Sequence, residues 1–583
     1  MSSESGNTES FRRNLNALYN RGSLALARAL RDTQIPGRLR IERARSGEAV
    51  PVYENEGFER RLYSLYAPGR EAERLAATIS PSQSVIVAGI GSGVHVRHLL
   101  ESRSPVHVTV IPEPFELLVS LVRHFDFENL LSDPRVSVVD RPCSFSDESW
   151  EDLCEAASDI ATSNFVPLFT RGLATMVPAG IVANFPAFAA VARSAVQRAS
   201  DRISEDLTAQ KRFGRLWMRN ILLNLPRARA SSPPPRGPDR IVVAAAGPSL
   251  EQWITANRNE TAILSTDTAA PALEAHDVQP FAVVSVDPSP LSYHHVLCGS
   301  RCKRWILDIA ANPLIWRYAV ETFPLYSHHP LLTLLNEHDA GLEARFFSAT
   351  DVTQTAVRLA AAMGAASIHV AGADFAYPKG SVYVRGSYIP VLFHALSGRM
   401  IPSQTRHFAF AYRSTHAYRD NSGTIHTPGL DAAKASMEAT ANELDSEISG
   451  VFDSGSAVPS DPDPGSGHSA RGPNLPAEST PHAGAHVGAD SDAEHANHRA
   501  RLRDERETIR TTLDGIAREL RRIPDPDAGD TPAAYYLSLS RREKQVINAL
   551  VPAAIATPKG SWNEQLGGAR DFFFRLISDL YQV

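Results

Sequence analysis

The stretch Ile241–Trp253, IVVAAAGPSLEQW, runs a short apolar segment straight into Gly-Pro-Ser-Leu. The apolar run reads as a strand and LEQW as the opening of a helix, with Gly and Pro punctuating the join. If the strand ends at Ala246 or Gly247, Pro248 falls at the first helical position, where its missing N–H costs nothing and its fixed φ suits the helix. Gly247 then lets a ligand approach the backbone, while the amides of Ser249 and Leu250, the Ser249 hydroxyl and the helix dipole favour an anion. A phosphate seat is one reading. The other is a plain strand-to-helix turn capped by serine, because such turns occur in every doubly wound sheet.

The same rhythm continues outward. TAILSTD, PFAVVSVD, RWILDIA and SIHVAGAD are further β-type runs between about residues 239 and 450, separated by helical or loop segments, and the alternation predicts a largely parallel sheet. Four runs end at a small or acidic residue: Gly247, Asp267, Asp287 and Asp374. In open α/β sheets the carboxyl ends of the strands line the ligand crevice, so these distant positions are expected to converge. For each aspartate the competing role is a strand-end cap or turn former, Asp287 before Pro288 most of all.

Upstream, SVIVAGIGSGVHVRHLL followed by VHVTVIPEPFELL predicts another strand-helix-strand unit. Its GIGSG turn with Glu113 has the shape of a methyltransferase cofactor loop, set against a ligand-free scaffold. Helical spacing follows to Arg227, and the proline-rich RASSPPPRGPD ends it. The fold class is therefore α/β, with two successive Rossmann-like units and a C-terminal helical region. The expected divisions are an N-terminal segment 1–80, a first unit with a helical extension 81–227, a linker 228–238, a central domain 239–452, a disordered linker 453–498 and a helical domain 499–583. The second linker has very few large apolar residues, and His468, His482, His486, His495 and His498 are too irregularly spaced within it to suggest a metal site.

Composition narrows the function. A chain of 583 residues with 43% hydrophobic and 21% charged residues reads as a soluble multidomain protein, and a net charge of −6 offers no basic field for nucleic acid. Four scattered cysteines point to a reducing compartment, and a polar N-terminus without an apolar signal core points to the cytoplasm. Residues 172–192 are long enough to span a bilayer, but Pro178, Pro186, Gly180 and Asn184 interrupt them, so buried helix and loop are expected. No Gly-Lys pair exists for a P-loop. His294, His295, Cys298 and Cys302 lie together but lack the usual zinc spacing, so no metal site is expected.

AAGPSLEQW, STDTAAPALEAHDVQPFAVVSVDPSPLSYHHV and TQTAVRLAAAMGAASIHVAGADFAY, in that order, resemble the MptE-like domain of Maf-type motility-associated glycosyltransferases. They are more distantly similar to bacterial sialyltransferases. SLYAPGREAER, GIGSGVHVRHLL and IPEP fit the same family, so the resemblance covers most of residues 60–450. It implies transfer of a nonulosonic acid, of the sialic, pseudaminic or legionaminic type, from a CMP-activated donor to serine or threonine of flagellin. Gly247, Pro248, Ser249 and Leu250 would hold the nucleotide, with Asp267, Gly372 and Tyr377 beside it. Asp287, Asp374 and Tyr383 would carry the chemistry, with Tyr377 and Tyr383 as partners of the leaving phosphate. The family's histidine in a Thr-His-Ala stretch soon after Gly-x-Asp is absent from that place, where Tyr383 stands; Thr415-His416-Ala417 comes further along. No cofactor is required beyond the CMP-sugar. One alternative is a 6-hydroxymethylpterin diphosphokinase using ATP and Mg2+; another is a non-catalytic nucleotide-binding adaptor or chaperone of the flagellum. The partners implied are flagellin and a nucleotide-sugar, with no nucleic acid, no membrane span, and a homo-oligomer left open.

Overall fold

The computed structural model describes residues 2–33, 39–55, 58–143, 150–297, 301–327, 329–338, 346–347, 351–450, 490–527, 530–556 and 560–581. The chain divides into two compact units, one of residues 1–214 with 519–573 and one of residues 215–518 with 574–583. The long helix Pro186–Ala230 belongs to the first unit up to Gly214 and to the second from Arg215.

In the first unit an antiparallel sheet of β1 (Leu39–Arg43), β2 (Ala49–Asn55) and β3 (Phe58–Arg61) precedes a parallel one. The parallel sheet comprises β4 (Ser84–Ala88), β5 (His107–Ile111), β6 (Val136–Val138) and β7 (Leu173–Met176), in the order β6-β5-β4-β7. β4 and β5 are buried along their whole length, which explains their continuous rather than alternating apolar runs.

The second unit carries the sheet announced by IVVAAAG. Its strands are β8 (Arg240–Ala244), β9 (Ile263–Thr266), β10 (Ala282–Ser285), β11 (Arg304–Asp308), β12 (Glu321–Ser327), β13 (Phe346–Phe347) and β14 (Ser367–Ala371). The small hairpin of β15 (Tyr418–Arg419) and β16 (Ile425–His426) forms its own sheet, and β17 (Glu447–Ser449) pairs with β14. The order is β13-β12-β11-β10-β9-β8-β14-β17, parallel throughout. From β8 the chain steps outward five strands to one side, then returns to lay β14 on the other side of β8. The connection reverses there, beside the carboxyl ends of β8 and β14, the position at which open α/β sheets bind ligands.

Alternation along β8 shows why both faces are covered. Ile241 and Val243 join Val284, Ile306 and the helix Val352–Ala362 in one buried cluster; Val242 and Ala244 join Leu250, Ile254 and Leu273 in the other. Each fully buried Val, Leu or Ile side chain among these contributes about 1.5–3 kcal/mol.

The structure departs from the sequence expectations at several places. The β8 ladder ends at Ala244 and the helix starts at Leu250, so Pro248 lies outside the helix rather than at its first position. The cause is β14: Ala245 N–H donates to the Ala371 carbonyl and Gly247 N–H to the Gly372 carbonyl, which holds the chain extended past the strand. Residues 215–227 belong with the central sheet, and the helix runs to Ala230, into the expected linker. The C-terminal helices are not a separate domain: residues 519–573 join the first unit, where Phe169 stacks on Tyr536 at 4.8 Å and meets the edge of Trp562 at 6.0 Å. A helix begins at Asp490, inside the expected disordered linker, whose residues 453–489 lie outside the described ones. Residues 172–192 form β7, the helix Ala179–Asn184 and the start of the long helix, and among the described residues no helix is long and apolar enough to cross a membrane.

Candidate active site

The turn after β8 is built around Asp374. The Ser249 amide donates to Asp374 Oδ2 at 3.0 Å, and a side chain at Gly247 would overlap that carboxylate and the Gly372 carbonyl. Leu250 N–H donates to the Gly247 carbonyl, and the Ser249 side chain makes no capping bond. Both amides expected to face a phosphate thus have partners inside the protein, one of them an anion. An incoming phosphate at Ser249 has to displace or neutralise Asp374. Burial pushes the Asp374 carboxyl above the usual carboxylate range, against the Ser249 hydrogen bonds that favour its charge.

Asp267 and Asp287 follow β9 and β10 and stand close together. Asp267 is buried and accepts from Ser285 Oγ at 2.6 Å and Thr268 Oγ1 at 3.1 Å. Asp287 accepts the Ser289 amide at 2.7 Å, the turn geometry foreseen from Asp-Pro-Ser. Burial raises the Asp287 carboxyl, and the Asp267 charge raises it further; His295 works in the opposite direction. Asp287 is thereby left readier to take a proton than an ordinary exposed carboxylate. His295 reaches Thr268 Oγ1 at 3.5 Å, and His294 stacks flat on Tyr388 at 4.5 Å. Cys298 lies outside the described residues, and the Cys302 thiol points to the carbonyls of Pro280 and Arg304. Among the described residues no three His, Cys, Asp or Glu side chains are grouped to hold a metal ion.

The loop after β14 brings in the phenols. Gly372 sits at φ +74°, and two non-glycine residues, Phe375 at +46° and Lys379 at +52°, also adopt left-handed backbone. Such residues cost on the order of 1 kcal/mol each and persist where the surroundings dictate them. Tyr377 is tied in place by paired backbone bonds with Ile425. Tyr383 is held beside the end of β8, because Val384 N–H donates to the Ala246 carbonyl. Both rings meet Phe410 edge-on, at 6.4 and 6.5 Å, and the Arg413 guanidinium lies 3.9 Å over the same ring. Burial raises both phenols, so they remain protonated donors at neutral pH; Tyr383 also feels Tyr377, Asp267 and Asp287, with Arg413 opposing. Tyr377, Tyr383 and Arg413 are thus gathered on Phe410, with Tyr383 in the field of Asp267 and Asp287, while Asp374 engages Ser249. His416 is exposed, three residues beyond Arg413.

Three features escaped the sequence reading. Asp308 ends β11 as Asp267 and Asp287 follow their strands; it is buried, accepts from Ala310 N–H and Ser327 Oγ, and is raised to about 6 by that burial. The local signal was present in RWILDIA. Asn220 and Asn224, buried on the long helix, donate to the carbonyls of Pro288 and Ala310, and of Ile309 and Ala311. They clamp the loops behind Asp287 and Asp308, a role with no local signature. Arg413 and Phe410 are likewise brought in by tertiary structure alone.

The glycine turn of the first unit is filled by its own side chains. Glu113 accepts the Ile90 amide at 2.9 Å and the Gly91 amide at 2.6 Å, and Tyr63 Oη bonds His95 Nδ1 at 2.7 Å. A side chain at Gly91 would strike Tyr63. Burial raises Glu113 and lowers His95 to about 4. The donors that would meet a cofactor are turned onto a carboxylate, which favours the scaffold reading.

Residues 219–380 match the model of the family described as 6-hydroxymethylpterin diphosphokinase MptE-like. The structure of a MAf glycosyltransferase from Magnetospirillum magneticum AMB-1 is similar over 99% of this chain and 96% of that one, with a TM-score of 0.50 and 15% identity. An uncharacterized protein of Treponema pallidum (strain Nichols) is 36% identical over 104 residues, 16% of this chain and 49% of that protein, so the chain spans about half of that relative's length. The central segment is thus MptE-like, as its motifs suggested, and the whole chain shares the fold of the MAf structure.

Proposed function

We propose that this chain is a glycosyltransferase that moves a nonulosonic acid from a CMP-activated donor to a serine or threonine hydroxyl of flagellin. The observation that carries the reading is that Tyr377, Tyr383 and Arg413 meet on the Phe410 ring, while Asp267 and Asp287 follow the adjacent strands β9 and β10 of the same sheet. Transfer needs a base for the acceptor proton and donors for the departing phosphate. Asp287, raised by burial and by Asp267, takes the proton. Tyr377 and Tyr383 donate to the leaving CMP phosphate, and Arg413 balances charge in a crevice otherwise lined by carboxylates. The Gly247–Leu250 turn and Gly372 border the nucleotide, with Asp374 fixing the turn. The fold shared with the MAf structure supports this reading.

The diphosphokinase reading is kept alive by the family description. Thermal melting separates the two: CMP or a CMP-sugar raises the melting temperature under the transferase reading, and Ser249→Asp, which adds a second carboxylate beside Asp374, abolishes the rise. Stabilisation by ATP with Mg2+ alone would instead support the diphosphokinase. Intact-mass analysis of flagellin from a strain lacking the gene tests the acceptor, since an unchanged mass would remove it.

A further inference from the structure

Between Asp374 and Asp420 the chain has no aspartate or glutamate, yet it carries Lys379, Arg385, Arg399, Arg406, Arg413 and Arg419. In a chain of net charge −6 this is a local reversal of sign. The segment folds as two helices, Tyr388–Ala395 and Ser403–Ala411, joined by the turn 396–402. The first helix has no buried residue, and in the second only Ala411 is buried. Leu396, Ile401, Phe408 and Tyr412 are exposed, and Met400 is 85% exposed at the turn. Exposed apolar residues grouped in this way mark contact surfaces.

We propose that this helical hairpin is the docking surface for the acceptor polypeptide, and that it receives an acidic segment with an apolar face. The inference rests on the transferase reading and deepens it. Three observations select the occupant. The hairpin is continuous with the crevice, because Phe410 of its second helix touches Tyr377 and Tyr383 as well as Phe393 of the first helix. A partner seated here is next to the group to be transferred. The hairpin's own cations, Arg399 and Arg406, are complementary to an acidic partner, whereas a symmetric contact with a second copy would set like charges against each other. Both hairpin cations are arginine, Arg399 and Arg406, and they share the hairpin with exposed Met400, Phe408 and Tyr412, residue types enriched in protein-protein contacts.

The test uses the full chain and purified flagellin as the probe. The triple variant Leu396→Ser, Met400→Ser, Ile401→Ser changes only exposed side chains. It is expected to weaken flagellin binding on the order of tenfold or more, as loss of a contact core does. Its CMP-dependent rise in melting temperature should match that of the unmodified chain. Raised salt should weaken binding of the unmodified chain as well. Unchanged flagellin affinity in the triple variant, or no flagellin binding by either chain, overturns the docking surface while intact CMP stabilisation leaves the crevice reading standing. Loss of CMP stabilisation in the unmodified chain would instead sink the crevice reading. Binding to vesicles of anionic phosphatidylglycerol that the triple variant loses, with flagellin affinity unaffected, would reassign the surface to a membrane and also overturn the proposal.

Discussion

Asp308 shows how much a single buried carboxyl does once its environment is fixed. Its folded pKa of about 6 lies above the usual aspartate value, so between about pH 4 and 6 the folded chain holds a proton that the unfolded chain has released. Its contribution is fully present below the unfolded pKa and is lost as pH rises through 6, with an upper bound of about 3 kcal/mol. Asp308→Asn should therefore shrink the fall in melting temperature between about pH 4.5 and pH 7, and an unchanged fall would show that the carboxyl is not desolvated. Gly91 makes a second test. Its φ of +51° and the Tyr63 ring beside it leave no room for a methyl group, so Gly91→Ala should destabilise the first unit by a few kcal/mol, read as a lower melting temperature. If a cofactor rather than Tyr63 filled that space, added S-adenosylmethionine would stabilise the unmodified chain; the closed loop predicts no response.

Strands and helices depart from local expectation where a neighbour supplies hydrogen bonds. Pro248 has the right chemistry for a first helical turn, but the carbonyls of Ala371 and Gly372 hold residues 245–247 extended and delay the helix to Leu250. Asp267 and Asp287 were legible because an acidic residue ending an apolar run is a local signal. Asn220 and Asn224 were not, because an asparagine in a helix gives no hint of the carbonyls it will meet. Each donates to two carbonyls, and Asn224→Ala would leave the buried ones of Ile309 and Ala311 without that partner. The expected cost is about 1–3 kcal/mol. Chemical denaturation should show it, while Asn224→Asp, which keeps the shape but repels the carbonyls, should be at least as harmful. A neutral Asn224→Ala would mean the clamp is incidental.

Across the molecule, the two parallel sheets were readable from their apolar runs and glycine turns, and the strand order places the reversal between β8 and its neighbours β9 and β14. The partition of the chain was not readable. Residues 519–573 belong to the first unit through ring contacts such as Phe169 with Tyr536, which no periodicity encodes, and residues 215–227 belong to the second although they continue a helix of the first. The acid-free stretch after Asp374 was visible as composition, but its meaning depends on Phe410 tying it to Tyr377 and Tyr383.

The most direct test is calorimetric titration of CMP into the full chain and into Tyr383→Phe. The crevice predicts saturable binding at one site, weakened by roughly tenfold when the phenol hydroxyl is removed, about the worth of one hydrogen bond to a charged group. Absence of binding, or equal affinity in the two proteins, would contradict it.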